Sequence, residues 1–327
     1  MTAPLTQLQA VTSADVYKAG RRAATLERGR ADATITFAYI DGYDGPPVAT
    51  TLPVGRSVTG NGLPPFFAGL LPEGHRLSTI QRAVKTSLDN ELALLLAVGA
   101  DTIGDVTIVP AGAPPVVPEP ALTVDEHTST IRFADLLDEL DHVALPGVQD
   151  KVSARVIALP VGAPGGHAIL KLNPDEVPHV VENEAYFLDL ARAAKMPVAT
   201  HTIIRDRDDT PGLLVTRFDR VSLGDGTSGR LACEDGAQVL GIWPANKYEC
   251  SAEDLATALA DLCPARPLAA TAVFRQMVFA YLTGNGDVHA KNISVLAHET
   301  ARGPEWRIAP GYDLPSTLFY GDHTMAL

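Results

Sequence analysis

Cysteine is scarce in this chain: Cys233, Cys250 and Cys263 are widely spaced and form no Cys-x-x-Cys pair. That excludes a disulfide framework and a zinc ribbon, and it fits a reducing compartment. Positive charge is also in deficit, with 26 Lys plus Arg against 39 Asp plus Glu and a net charge of −13. Such a balance repels nucleic-acid phosphates and argues against DNA binding by the chain alone. No apolar run reaches the roughly 18 residues that a bilayer span needs, and the first residues lack a basic and then apolar leader. The expectation is a soluble, cytoplasmic protein with no membrane partner. Two common phosphate-binding strings are missing as well. Lys85-Thr86 has no glycine loop before it, and no Gly-x-Gly-x-x-Gly follows a strand, so P-loop and dinucleotide-binding readings are set aside.

What is present suffices for two cores, since the chain has 327 residues and 46% hydrophobic content. Pro110 to Pro120 holds five prolines, which bar a helix interior and a central strand. This places an amino-terminal unit at 1–109, a linker at 110–120 and a second unit at 121–327. Before the linker, Thr34 to Ile40 alternates like a strand, Asp41-Gly42 and Pro46-Pro47 mark a hairpin turn, and Glu91 to Val98 reads as a helix. Arg21, Arg22, Arg28 and Arg30 form a basic stretch, read as a solvated face or as a minor contact with DNA or an acidic partner.

The most informative segment is Gly-Asn-Gly-Asp-Val-His-Ala-Lys-Asn, residues 284 to 292, where Asp287 and Asn292 stand five positions apart. Protein kinases space their catalytic loop this way, with the Asp accepting the proton of the substrate hydroxyl and the Asn holding magnesium. Phe274, Met277, Val278 and Tyr281 recur at helical spacing before it, and Gly284 and Gly286 end that helix in a loop. Ile293, Val295 and Leu296 then read as a short strand. Asp313 follows the strand-like Trp306, Arg307 and Ile308, and would supply a second magnesium ligand, although Asp-Leu-Pro also reads as a plain turn.

Further upstream, Ala168 to Leu172 is an apolar strand carrying one lysine, Lys171, after a Gly-rich hairpin at Gly162 to Gly166 and a strand from Val152 to Leu159. Glu184 lies on an amphipathic segment, Val181 to Ala194, whose apolar stripe is read as Ala185, Leu188, Leu190 and Ala191. A strand lysine and a glutamate on the next helix can form the ion pair that positions nucleotide phosphates, while a solvated helix face is the plainer reading of Glu184.

Taken in order, these residues resemble the HipA family of bacterial serine/threonine kinases, the toxin half of type II toxin–antitoxin pairs. The likeness covers nearly the whole chain. It runs through Phe66 to Gly74, Gly104-Asp105-Val106, Pro146 to Ser153, Ile169 to Leu172, Asn183-Glu184, Arg217 to Arg220, Glu234-Asp235, Lys247-Tyr248, Gly284 to Asn292 and Tyr312-Asp313. The fold implied is α+β and protein-kinase-like, with a smaller α/β amino-terminal subdomain and with the carboxyl-terminal helices of relatives truncated.

The resemblance also implies roles. Asp287 would be the catalytic base, with Lys171 and His289 beside the phosphates, and Asn292 and Asp313 would hold Mg2+. Gly147, Val148 and Gln149 match a phosphate-binding loop. Thr216 and Phe218 would offer main-chain hydrogen bonds to the adenine of ATP, and Asp219 would reach its ribose. For His289 a loop histidine bonded to backbone is an equal reading. The partners implied are a small dimeric helix-turn-helix antitoxin, through which DNA would be met, and a protein substrate that in relatives is an aminoacyl-tRNA synthetase.

One departure bears on regulation. Ala144 stands where relatives carry an autophosphorylated serine, so that route of self-inhibition is closed unless another hydroxyl, such as Ser153 or Thr130, replaces it. Three functions therefore stand side by side: a toxin-type protein kinase, a small-molecule phosphotransferase, and a catalytically silent corepressor acting with the antitoxin. The Leu71-Pro72-Glu73-Gly74 signature weighs against the second, and the intact Lys171, Asp287, Asn292 and Asp313 weigh against the third.

Overall fold

The computed structural model describes residues 5–29, 34–116, 123–124, 131–136, 156–163, 166–174, 177–223, 228–300 and 303–324. The amino-terminal part is an antiparallel sheet in the order β4-β3-β2-β1-β5, formed by β1 (Ser13–Lys18), β2 (Arg21–Arg28), β3 (Ile35–Tyr39), β4 (Ser57–Gly60) and β5 (Val106–Pro110). Its alternating residues put Val16, Leu26 and Phe37 on one face, where they meet Phe67 of α1 (Pro65–Gly69) and Leu92 and Leu95 of α3 (Glu91–Val98) in a dry core. Helix α2 (Gly74–Val84) lies between them in sequence.

The β3–β4 connection is not the tight hairpin expected from Asp41-Gly42 and Pro46-Pro47. It runs from residue 40 to 56, because the two prolines cannot extend a ladder and the chain instead folds back around Tyr39. The Tyr39 hydroxyl accepts from the Val48 amide at 2.8 Å and donates to the Leu52 carbonyl.

A second antiparallel sheet follows in the order β6-β7-β9-β8, from β6 (Ile157–Ala163), β7 (Gly166–Leu172), β8 (His201–Arg205) and β9 (Pro211–Thr216). Strand β6 continues beyond Leu159, so Gly162 pairs within the ladder instead of turning. Pro160 is tolerated because β6 is an edge strand with no ladder bond required on its outer side. Residues 152–155 lie outside the described residues.

Helix α4 (Val180–Ala193) packs Val181, Leu188 and Ala191 on this sheet against Leu213 and Val215. Leu190, expected in the apolar stripe, is 40% exposed instead, and Phe187 takes the inner position. The 3.6-residue period puts positions 181, 184, 185, 188 and 191 on one face, and 190 falls off it.

The third layer holds β12 (Cys233–Asp235), β13 (Ser294–Thr300) and β14 (Gly303–Ile308), with α5 (Gly236–Leu240), α6 (Ala252–Leu262) and α7 (Arg266–Thr283). A two-stranded ribbon, β10 (Arg220–Ser222) and β11 (Ser228–Arg230), leads into it. Helix α7 buries Ala269, Val273, Gln276, Phe279 and Ala280, whereas Phe274, Val278 and Tyr281 of the expected face are exposed. Because α7 is apolar on nearly every side, periodicity could not choose its inner face.

Candidate active site

The loop after α7 is shaped by two glycines. Gly284 ends the helix in the left-handed region at φ +66, where a side chain would be strained, and a Cβ on Gly286 would sit 2.5 Å from the Thr324 carbonyl and 2.8 Å from Thr317 Oγ1. The chain can therefore turn tightly and bring Asp287, His289 and Asn292, all buried, to one end of β13.

Two links join this loop to the sheets. Asn292 Nδ2 donates to Asp313 Oδ2 at 3.0 Å, and Lys171 Nζ lies 3.1 Å from Asp313 Oδ1. Lys171, on β7, also donates to both oxygens of Glu184 on α4, at 2.7 and 2.8 Å. The strand lysine, the helix glutamate, Asp313 and Asn292 thus form one continuous chain of contacts. Burial works against charge on Lys171, but Asp313 and Glu184 outweigh it and raise its pKa above that of an ordinary lysine.

Asp313 has a left-handed backbone at φ +56, a conformation a non-glycine residue adopts at some cost, which the Lys171 and Asn292 contacts offset. Asn292 Oδ1 accepts from the His289 amide at 2.9 Å, closing the loop on itself. The His289 imidazole is pushed by burial down to about 4, so it is neutral at pH 7, and its buried Nδ1 has no hydrogen-bond partner among the described residues.

Beside these groups lies a cavity of about 320 Å³. Lys171, Glu184, Thr216, Phe218 and Asp219 line it, with Ile169 and Val215 from the sheet. The opposite wall comes from the amino-terminal part: Leu71, Pro72, Arg76, Val98 and Ile103. Sequence reasoning did not single out Arg76. Among the described residues it makes no hydrogen bond or ion pair, and only its place on the first turn of α2, after the Pro-Glu-Gly signature, hinted at it.

The motifs expected along the chain gather on the seam between the two parts. Glu73 accepts from Lys247 and, at 2.6 Å, from Lys291. Burial alone would raise its carboxyl, but the two ammonium groups hold it at about 2. Gln238, whose Oε1 accepts from the Asp235 amide in the capping box that opens α5, donates its side-chain Nε2 to the Phe66 carbonyl at 2.9 Å. Glu234 accepts from the Thr50 amide and hydroxyl at 2.8 and 2.7 Å.

Asp219 lines the cavity, and its carboxylate is engaged by the protein. Its carboxylate accepts from Arg217 on both oxygens, from Arg220 at 2.5 Å, and from the Gly104 amide at 2.8 Å, and it is 2% exposed. It belongs to a buried cluster in which Arg217 and Arg220 also grip Asp101. The Thr216 amide donates to the Thr200 carbonyl at 2.8 Å. Gly147, Val148 and Gln149, with Ala144, Ser153 and Thr130, lie outside the described residues.

The basic stretch near the amino terminus is occupied internally. Arg21 pairs with Asp44 at 2.6 Å, Arg22 with Asp15 at 2.7 Å, and Arg28 donates to Asn90. Arg30 lies outside the described residues. Among the described residues no helix is long and apolar enough to cross a membrane.

Comparison with known proteins agrees with this geometry. The family model described as HipA N-terminal domain matches residues 14–109, and the HipA-like C-terminal domain matches 143–327. "Putative kinase Y4mE" of Sinorhizobium fredii is 32% identical over 88% of this chain and 73% of its own length. The serine/threonine-protein kinase toxin HipA of Shewanella oneidensis is 29% identical over 86% of this chain and 69% of its own. The solved structure of Shewanella oneidensis HipA with HipB and operator DNA superposes with a TM-score of 0.74 over 96% of this chain and 79% of that one. At 24% identity that match speaks for the fold, which is the α+β, kinase-like fold expected. With both family models matched and a 32% identical relative spanned for most of its length, the chain belongs to the HipA family.

Proposed function

We propose that this chain is an ATP-dependent serine/threonine protein kinase that acts as the toxin of a toxin–antitoxin pair. The observation that carries the reading is the unbroken run of contacts from Glu184 through Lys171 and Asp313 to Asn292, on the loop that carries Asp287. Lys171 is held charged at the cavity wall, where it pairs with nucleotide phosphates. The Thr216 carbonyl and the Phe218 amide, two residues apart on the same wall, take the adenine edge, and Ile169, Val215 and Phe218 cover its faces.

Asp313 and Asn292 fit magnesium. Asp313 offers a carboxylate, and Asn292 an amide whose nitrogen donates to Asp313 and whose oxygen accepts from the His289 amide, so that oxygen would join the ligands once the amide gives up its Asp313 contact; among the described residues no cluster of three or more acidic, His or Cys groups forms a closed cage. That sparse set suits a cation that keeps phosphate oxygens as its other ligands. Magnesium, when bound, neutralises the charge developing on the transferred group.

Asp287 accepts the proton of the substrate hydroxyl as that oxygen bonds to the γ-phosphorus. The bond from the γ-phosphorus to the β–γ bridging oxygen breaks, and ADP leaves. Neutral His289 presents its ring beside this exchange without adding a charge.

A division into 1–109, a linker at 110–120 and a kinase unit at 121–327 is part of the same proposal. It is supported by the first core, whose buried members run from Leu8 to Ile108, and by family models that end at 109 and resume at 143. The HipB and operator DNA of the Shewanella structure support a DNA-binding antitoxin as partner, with the acidic chain itself leaving DNA to that partner.

The test is transfer of label from γ-labelled Mg-ATP to protein serine or threonine, followed by phosphoamino-acid analysis. Label on protein hydroxyls that is abolished by a magnesium chelator supports the reading. Label on aminoglycosides alone, or none, would replace it with the phosphotransferase or corepressor reading.

A further inference from the structure

The Lys247-Tyr248 pair has no part in nucleotide binding as described above, yet its contacts converge on the loop that carries Asp287. The Tyr248 hydroxyl donates to Asp287 Oδ1 at 2.7 Å, and the Asp287 side chain is buried, 4% exposed. A carboxylate is an acceptor only, so the phenol must be the donor. Burial and the neighbouring Asp287 charge both raise the Tyr248 pKa, which keeps that proton in place. The ring meets His289 edge to face with centroids 5.0 Å apart. One residue back, the Lys247 carbonyl accepts from the Ala290 amide at 3.2 Å, and its ammonium is anchored on Glu73. A single short segment therefore holds the loop at residue 287 by side chain, at 289 by ring and at 290 by backbone.

Resting on the kinase reading, we propose that Tyr248 is the positioning residue of Asp287: its hydroxyl occupies Oδ1 and fixes the carboxylate's rotation so that Oδ2 meets the hydroxyl to be phosphorylated. A carboxylate turns readily about its single bond, and a base that has lost its orientation must recover it in each turnover. A hydrogen bond of 2.7 Å to a tyrosine wedged between His289 and Lys247 removes that freedom before substrate arrives. The phenol bonds to Asp287, whereas Lys171, Asp313 and Asn292 are held by one another, so its contribution belongs to the transfer step and not to nucleotide affinity.

Tyr248→Phe keeps the ring and its stacking and removes only the hydroxyl. With γ-labelled Mg-ATP and dephosphorylated casein as the acceptor probe, kcat should fall about tenfold, equal to about 1.4 kcal/mol, while KM for ATP and Kd for Mg-ADP stay within about twofold. An unchanged kcat would overturn the role, and so would a parallel loss of nucleotide affinity and thermal stability, which would make Tyr248 a scaffold. Should the variant fail to fold, 3-fluorotyrosine at position 248 keeps the shape and alters the acidity of the hydroxyl. A changed kcat at constant KM then supports the role, and an unchanged kcat overturns it. Asp287→Asn is assayed alongside. If wild-type protein transfers no phosphate, or Asp287→Asn transfers equally well, the kinase reading fails and the positioning role falls with it; if only Tyr248→Phe behaves as wild type, the kinase reading stands without it.

Discussion

The Lys171 ammonium lies 3.1 Å from Asp313 Oδ1, joining a strand of the second sheet to the loop that follows β14 more than a hundred residues later. With Glu184 on its other side, Lys171 is a half-buried cation between two carboxylates. Lys171→Met keeps the apolar stem and leaves the buried Glu184 without its cation, while Asp313 keeps only Asn292. Calorimetric titration should show Mg-ATP affinity reduced at least tenfold, and denaturant unfolding should show a stability loss of about 3 kcal/mol. Unchanged affinity together with unchanged turnover would remove Lys171 from the site.

Asp219 should behave as a clasp and not as a ribose ligand. Asp219→Asn leaves Arg217 and Arg220, each with a side chain only 4% exposed, short of their shared counter-charge. The expected result is a fall in stability of about 3 kcal/mol with KM for ATP little altered. A large rise in KM at normal stability would restore the ribose role.

The Glu73 latch should depend on pH in a defined window. Its carboxyl sits at about 2 in the folded chain against 4.5 when free, so the unfolded state binds more protons between those values. The stability that the latch contributes is therefore present above pH 4.5 and is lost as the pH falls toward 2. Comparing wild type with Glu73→Gln by denaturant titration, the wild-type advantage should be constant from pH 7 to 5 and shrink by pH 3. An advantage that grew on acidification would contradict the two ion pairs with Lys247 and Lys291.

Much of this site was legible in the sequence because its chemistry demands residue types at fixed spacing. Asp287 and Asn292 lie on one loop, and the glycines beside them have a single steric explanation each. Lys171 and Glu184 were found as a strand lysine followed by a helix glutamate. What was not legible depends on packing between distant segments. The engagement of Asp219 by Arg217 and Arg220 could not be read from Arg-Phe-Asp-Arg, since the same string with its carboxylate turned outward would reach a ligand. The partners of Glu73 lie 174 and 218 positions away, and no local pattern announces them. Helix α7 illustrates the limit of periodicity, since an almost wholly apolar helix has no face that its sequence marks as inner.

In the proposed kinase, base and metal ligand are separate groups, and paired measurement of Mg-ATP binding and phosphoryl transfer tests this most directly. Asp287→Asn should lose transfer by at least a thousandfold while binding Mg-ATP within about threefold of wild type, because Asn292, Asp313 and Lys171 stay in place. Asp313→Asn should lose magnesium-dependent nucleotide affinity as well as transfer. Near-normal transfer by Asp287→Asn, or intact magnesium-dependent binding and transfer by Asp313→Asn, would contradict the account.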